Sequence, residues 1–405
     1  MYRRDTFLNQ LLNLRGTSLI KVITGVRRSG KSSLLELLKE HWAALDEEVV
    51  HINMEWDEAG DISDARGLSK LIRSKLPARS DGQKPEKAPI LLLDEVQLVP
   101  GWERVVNSLR TQKLADIYIT GSNAYLLSSE LATLLSGRYI EIKMLPLSFK
   151  EYLEFHRWTS GDTGQFFQRF MDYGGFPGLY EVDADNDENS IHGFLGGIYN
   201  TILVKDTLTR TSIRDVDLLE KIIRFVSKNI GNLINGKKVS DYLVSAGRKT
   251  SHETIDTYLN ALEKAFFVYR APRYDIAAKE YLKTQGKYYL VDLGLRYWAI
   301  GKRGVDIGSS LENIVYLELL RRGYAVFVGN IGKAEVDFVA IKQDEKQYIQ
   351  VAYLLATDEV INREFAPLLA IKDNYPKYVL SMDDFDMSHD GIGHKNIRRW
   401  LLENV

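Results

Sequence analysis

The sequence predicts an α/β protein: a parallel sheet covered by helices, then a helical and helix-turn-helix segment, then a second, smaller α/β segment. Three observations predict it. Short apolar strands alternate with helical patterns over residues 19–145, as parallel strands with crossover helices do. A glycine-rich turn at residues 25–32 separates the first strand from its helix. From residue 146 the pattern becomes helical, and from about 305 a helix is followed by strands again.

In chain order, LIKVITG, EVVHINMEW, PILLLDEVQ, DIYITGSN and RYIEIKML read as buried strands, with SSLLELLKEHWAAL and GWERVVNSLRTQ as helices between them. Residues 78–89 form a polar, Pro- and Gly-containing surface loop. Residues 146–210 read as helices interrupted by YGGFPGLYEVDADNDENS, an acidic stretch expected to be an exposed loop. Residues 215–300 run helix, helix, helix, then short strands. The last hundred residues start with the helix SSLENIVYLELLRRG. Strands AVFVGN, AEVDFVAI and QYIQVAYL, the helix NREFAPLLAIKD and the strand KYVLSM follow.

Composition narrows the function class. The 405 residues suffice for two or three domains, and 45% hydrophobic with 27% charged residues excludes a mostly disordered chain. The absence of cysteine excludes a disulfide framework, a cysteine nucleophile and Cys-ligated zinc or iron–sulfur, and fits a reducing cytoplasm. No apolar run approaches the ~18–20 residues that span a bilayer. The N-terminal MYRRDTFLNQLLNLRG lacks the continuous apolar core of a signal peptide. A cytoplasmic protein with no membrane partner is expected. The net charge of −2 hides an asymmetry: residues 205–303 carry 19 lysines and arginines against 11 acids, a local +8, and leave −10 on the rest.

Gly25-Val26-Arg27-Arg28-Ser29-Gly30-Lys31-Ser32 matches G-x-x-x-x-G-K-[ST] between a strand and a helix, the context of a P-loop NTPase. Backbone N–H groups of residues 25–33, through Ser33, and the positive end of the new helix would face phosphate. Lys31 would reach the β- and γ-phosphates and Ser32 would ligand Mg2+. Ile90–Leu93 is an apolar strand ending in Asp94-Glu95, at the edge where open α/β sheets bind ligands. Asp94 would hold Mg2+ through water and Glu95 would orient the attacking water. The strand Ile117–Thr120 ends in Gly121-Ser122-Asn123, and Asn123 is expected to touch the γ-phosphate or its water. Arg138 precedes the next strand, as an arginine finger acting on a neighbouring subunit, an internal sensor, or a surface residue.

GVRRSGKSSLL, ILLLDEVQ, ITGSNAYLLSSELATLLSGR, LPLSFKEYL and YGGFP, followed by TILVKDTLTR, TIDTYLNALEKAFFVYRAPRYD, KYYLVDLGLR and YIQVAYLL, resemble a widespread prokaryotic family of AAA+-type ATPases. Its members carry a C-terminal domain of unknown function, number 4143. The resemblance implies ATP rather than GTP, an AAA+ core, a winged-helix module and a region similar to PD-(D/E)XK nucleases. The expected domains are an ATP-binding domain at 1–150, a helical connector at 151–212, a winged helix at 213–303 and the nuclease-like domain at 304–405.

Residues 218–230, 239–246 and 254–267 supply the three helices of a helix-turn-helix, with a capping box at Thr250-Ser251-His252-Glu253. His252, Glu253, Asp256 and Thr257 would face a groove, but they are not strongly basic, and Arg248 and Lys249 are better phosphate contacts. A PD-(D/E)XK site needs an acid on the first helix, an Asp at a strand end and then an acid–x–Lys. Glu312 fits the first, and Glu335-Val336-Asp337 the second, with Asp337 the better candidate. The third reads Gln350-Val351-Ala352, which lacks the acid and the lysine. A catalytically silent nuclease-like fold is expected, unless a migrated lysine such as Lys333 or Lys342 restores it. The leading expectation is an Mg2+-dependent ATPase, a homo-oligomer, coupling ATP to DNA through residues 205–303. The alternatives are a nucleotide-gated protein-interaction switch and an ATP-regulated nuclease.

Overall fold

The computed structural model describes residues 3–56, 62–77, 88–127, 135, 137–183, 187–208, 213–302 and 305–403. Most of the loop expected at 78–89, the middle of the acidic stretch (184–186) and Arg303 lie outside the described residues. The chain forms two compact units, Met1–Met144 with Lys264–Phe266, and Leu145–Glu263 with Phe267–Val405.

In the first unit, β1 (Ile20–Thr24), β2 (Val49–Asn53), β3 (Ile90–Asp94), β4 (Asp116–Gly121) and β5 (Tyr139–Lys143) form one sheet. The order is β2-β3-β4-β1-β5, every pair parallel. Helices α1 (Asp5–Asn13), α2 (Lys31–Ala43), α3 (Ala65–Lys75) and α4 (Trp102–Thr111) complete it. The three inner strands β1, β3 and β4 are buried along their whole length, because helices cover both faces, and alternation divides each of them between two cores. Ile23, Leu92 and Tyr118 pack with Leu34, Leu35 and Trp42 of α2. Val22, Leu91, Leu93, Ile117 and Ile119 pack with Leu68 and Ile72 of α3 and Val106 and Leu109 of α4. Lys21 interrupts the apolar run of β1 yet is fully buried. Asp116 compensates it, and Arg15 holds the same carboxylate at 2.9 Å. All five strands expected here, and both helices, are present.

The second unit opens with α5 (Phe149–Phe155), α6 (Gly164–Tyr173), α7 (Leu179–Asp183) and α8 (Glu188–Thr201), which runs into a π-helical turn at Ile202–Leu208. The acidic stretch is therefore not simply a loop: α7 lies within it, and Asp187 caps α8 by accepting from the N–H groups of Asn189 and Ser190. Next come α9 (Val216–Lys228), β6 (Leu233–Ile234), α10 (Gly236–Ser245), α11 (His252–Lys264), β7 (Val268–Asp275), β8 (Glu280–Leu290) and α12 (Leu293–Ile300). Ser251 rather than Thr250 caps α11, its hydroxyl accepting from Thr254 N–H at 3.3 Å. The unit ends with α13 (Ile307–Arg321), β9 (Ala325–Ile331), β10 (Ala334–Lys342), β11 (Glu345–Val351), α14 (Asp358–Leu369), β12 (Lys377–Ser381), β13 (Gly393–Asn396) and α15 (Ile397–Leu402).

The segments expected as a connector, a winged helix and a nuclease-like domain fall together in the second unit. An eight-stranded sheet, β13-β12-β11-β10-β9-β7-β8-β6, runs through the last two. The join is a parallel pairing of β7 with β9, from Arg273↔Val328 to Asp275↔Asn330. An exposed strand edge is a liability, and this pairing covers the outer edge of the β7–β8 hairpin.

The YGGFP turn is held from the same unit. Asp292 accepts from Gly175 N–H at 2.7 Å and caps α12 through Gly294 N–H at 2.8 Å. A Cβ on Gly174 would stand 1.7 Å from the Asp292 carboxylate, at φ +81°. Burial pushes the Asp292 carboxyl up to about 7, against those two N–H donors. Between its ordinary ~3.9 and 7 the folded state keeps a proton that the unfolded chain releases. The stability it contributes is present at low pH and lost as pH rises through 7. Urea unfolding at about pH 5 and about pH 8 should show wild type losing stability relative to Asp292→Asn as pH rises.

Candidate functional site

The glycine-rich turn leaves the sheet at the C-terminal end of β1 and enters α2. Gly25 is required there: at φ +149°, a Cβ would meet the Met144 carbonyl oxygen at 2.1 Å. Gly30 takes φ +97° at the start of α2. Val26 and Ser29 are buried, Arg27 faces Glu55 at 3.5 Å, and Arg28, Ser32 and Ser33 are exposed. Arg4 donates to the Ser29 carbonyl at 3.1 Å and fixes the outer side of the turn. Lys31 lies inside it, 4% exposed, donating to the carbonyls of Gly25 (2.9 Å) and Val26 (3.0 Å).

β3 delivers Asp94 and Glu95 to the same edge. Asp94 is fully buried. Burial pushes its carboxyl up, while hydrogen bonds from the Thr120 and Ser32 hydroxyls hold it down. Asn53 donates to its second oxygen at 3.0 Å. Glu95 sits at φ +53°, in the left-handed region rarely used by non-glycine residues. Its N–H donates to Thr120 Oγ1 at 2.9 Å, and its carboxylate lies 4.0 Å from Lys31 Nζ. The structure thus brings Lys31, Ser32, Asp94 and Glu95 together. Asn123 follows β4, is fully buried, and both its amide atoms lack a hydrogen-bond partner among the described residues. A buried amide without a partner costs free energy unless a ligand or water completes it.

Three contributors escaped the sequence reading: Asn53, Thr120 and Gln97. Asn53 ends β2 and Thr120 is the penultimate residue of β4, the strands on either side of β3, and parallel register carries them to Asp94: Asn53 pairs with Asp94 and Leu93 with Ile119. A polar residue closing an apolar strand beside the Asp-Glu strand was the available signal. Gln97 Nε2 donates to the Glu95 carboxylate and lies 3.4 Å from Ser122 Oγ. Gly121 makes room for it, since a Cβ there would stand 2.9 Å from Gln97 Oε1.

Arg138 is not at this site. Its carbonyl accepts from Ile20 N–H at 2.9 Å, which places it where β1 begins. The loop leaves the other end of β1, roughly 15 Å away at ~3.3 Å per residue. The Arg138 side chain is exposed and donates to Asn107 of α4 at 3.4 Å.

In the second unit, Glu312 on α13 and Asp337 on β10 come together, but around a lysine absent from the expected set, Lys287 of β8. Gln350 is adjacent, its Oε1 accepting from Asp337 N–H at 3.2 Å and its Nε2 donating to Glu364 at 2.9 Å. Lys342 lies over the Tyr324 ring and Lys333 sits in the exposed turn before β10. Of the basic residues expected to meet phosphate, Arg248 is paired with Asp215 and lies 3.9 Å from Asp217, whereas Lys249 is exposed. On α11, His252 stands 3.0 Å from Glu253, while Asp256 and Thr257 are exposed.

Residues 17–153 match the family described as an AAA domain. Residues 165–306 match a domain of unknown function, DUF8612, a different number from the 4143 implied by the resemblance. An uncharacterized protein of Haemophilus influenzae is 42% identical over 409 residues, covering 100% of this chain and 99% of its own. The uncharacterized protein MJ1544 of Methanocaldococcus jannaschii is 31% identical over 352 residues, covering 83% and 75%. Among solved structures, a Walker-type ATPase of Pyrococcus abyssi is similar at TM-score 0.48 and 17% identity, over 74% of this chain and 96% of that one, a likeness too low to support further inference.

Gly25→Ala forces either the turn or the Met144 carbonyl to move. It should lower the unfolding free energy by about 1–3 kcal/mol in urea titration, and weaken phosphate capture at the turn.

Proposed function

The chain belongs to the family of its Haemophilus and Methanocaldococcus relatives and itself carries an AAA domain and a domain of unknown function, and on that premise we propose that it binds ATP with Mg2+ and hydrolyses it. One observation carries this reading: Lys31, Ser32, Asp94 and Glu95 meet at one sheet edge, and Asn123, whose amide has no hydrogen-bond partner among the described residues, follows the strand that ends there.

The residues divide the work. Backbone N–H groups of the turn at 25–33 hold the phosphates. Lys31 exchanges the Gly25 and Val26 carbonyls for the β- and γ-phosphates. Ser32 and Asp94 are the residues that would hold Mg2+, which when bound neutralises charge on the phosphates. Glu95 orients the attacking water as a buried base. Gln97 fixes the direction of that carboxylate, and the left-handed backbone at Glu95 does the same from the other side. Asn123 completes its amide on the γ-phosphate or the water. Arg138 acts, if as a finger, only on a neighbouring subunit's nucleotide in a homo-oligomer.

For the output we propose coupling of nucleotide state to DNA through the winged-helix order α9-β6-α10-α11-β7-β8, supported by the +8 of residues 205–303. A second reading, a nucleotide-gated protein-interaction switch, is favoured by one set of observations. Lys287 and Arg296 are buried, Arg248 is paired with Asp215, and the hairpin edge is sealed by β9. Part of the positive charge thus serves the interior. Cleavage of phosphodiesters is not part of either reading, since the acid–x–Lys position reads Gln350-Val351-Ala352 and the lysine that does reach Glu312 and Asp337, Lys287, is ion-paired with both.

Lys31→Ala should abolish binding of a fluorescent ATP analogue. Gln97→Ala should lower kcat with KM unchanged. ATPase activity with and without DNA at two salt concentrations separates the two outputs. Stimulation that fades with salt marks phosphate contacts, and absence of stimulation marks the switch.

A further inference from the structure

Lys287 is 2% exposed, and its Nζ lies 2.8 Å from Glu312 Oε1, 2.8 Å from Glu335 Oε1 and 2.9 Å from Asp337 Oδ1. Three carboxylates from α13 and β10 thus converge on a single cation, and that cation comes from the neighbouring hairpin. Two of these carboxylates are engaged further. Asp337 Oδ2 accepts from Val351 N–H at 3.0 Å, and Glu312 Oε1 also accepts from Tyr289 O–H at 2.6 Å. Gly231 packs so closely on Glu312 that a Cβ would stand 2.6 Å from Oε2. Gln350, the one remaining neutral oxygen donor of the expected set, spends its carbonyl on Asp337 N–H.

We propose that Lys287 is a built-in cation: its ammonium holds the place that a divalent metal would take among Glu312, Glu335 and Asp337, so the site binds no metal and ties the β7–β8 hairpin to α13 and β10. An ammonium buried without partners is strongly destabilising, and so is a carboxylate cluster without a cation. Each solves the other. Burial opposes the charge on Lys287, but Asp337, Glu312 and Glu335 outweigh it and hold the ammonium pKa well above that of an ordinary lysine. Glu312 shows the cost of the arrangement: burial and the Asp337 charge push its carboxyl up to about 7, against Lys287 and Tyr289. The proposal does not depend on ATP hydrolysis.

The test is Mn2+ titration of the full nucleotide-free chain, followed by electron paramagnetic resonance and by thermal melting. Wild type should take up no Mn2+ that Asp337→Asn removes. Lys287→Ala should take up one Mn2+ per chain, with a melting temperature that rises with Mn2+. Adding Asp337→Asn to it should abolish both effects, and Lys287→Arg should stay metal-free. Asp337-dependent uptake in wild type would overturn the proposal. So would a folded Lys287→Ala that binds no Mn2+, or an unfolded one that Mn2+ does not restore.

Discussion

The carboxylate of Asp94 is fully buried at the end of a strand, and donors from both neighbouring strands and from the helix after the turn keep it there. The first unit depends on that arrangement. A parallel sheet with both faces covered sends its strand ends to one edge, and only there can polar groups gather around a buried charge. Asn53 and Thr120 satisfy the carboxylate, Ser32 links it to the glycine-rich turn, and Thr120 also holds the backbone of Glu95. The same rule operates elsewhere. Lys21 is tolerated inside β1 because Asp116 and Arg15 complete it, and Lys287 is tolerated because three carboxylates surround it.

Much of the first unit was legible in the sequence because its signals are local. The turn Gly25–Ser32 carries its own chemistry, and four apolar residues before Asp94-Glu95 mark a covered strand whatever its neighbours are. Asn53 and Thr120 were not legible as site residues, since their role comes from register between strands some twenty-five to forty positions apart in sequence. Of the three readings open for Arg138, its exposed position at the start of β5 fits the surface residue, for a related reason. A residue just before a strand lies at the start of the sheet, and in a parallel sheet that is the edge away from the turn.

The second unit was legible as elements but not as an assembly. The helices and strands around 215–300 and 305–405 were visible from periodicity, yet the pairing of β7 with β9 that merges them has no signature in either segment. The merger has a physical consequence. Lys287 stands 25 positions before Glu312 and was counted with the basic surface of the preceding segment. It serves instead as the interior counter-charge of the following one. Charge counted along a chain measures a surface only where the side chains reach it; Arg296, donating to the Ser227 carbonyl and to Ser309 and Ser310 hydroxyls, makes the same point.

We propose that the edge assembled around Asp94 turns over ATP with Glu95 directing the water. Equilibrium ATP binding and single-turnover hydrolysis, measured together on Glu95→Gln, test it most directly. The account predicts affinity close to that of wild type and hydrolysis slowed by about two orders of magnitude or more. Hydrolysis at the wild-type rate in a variant that still binds ATP would contradict it.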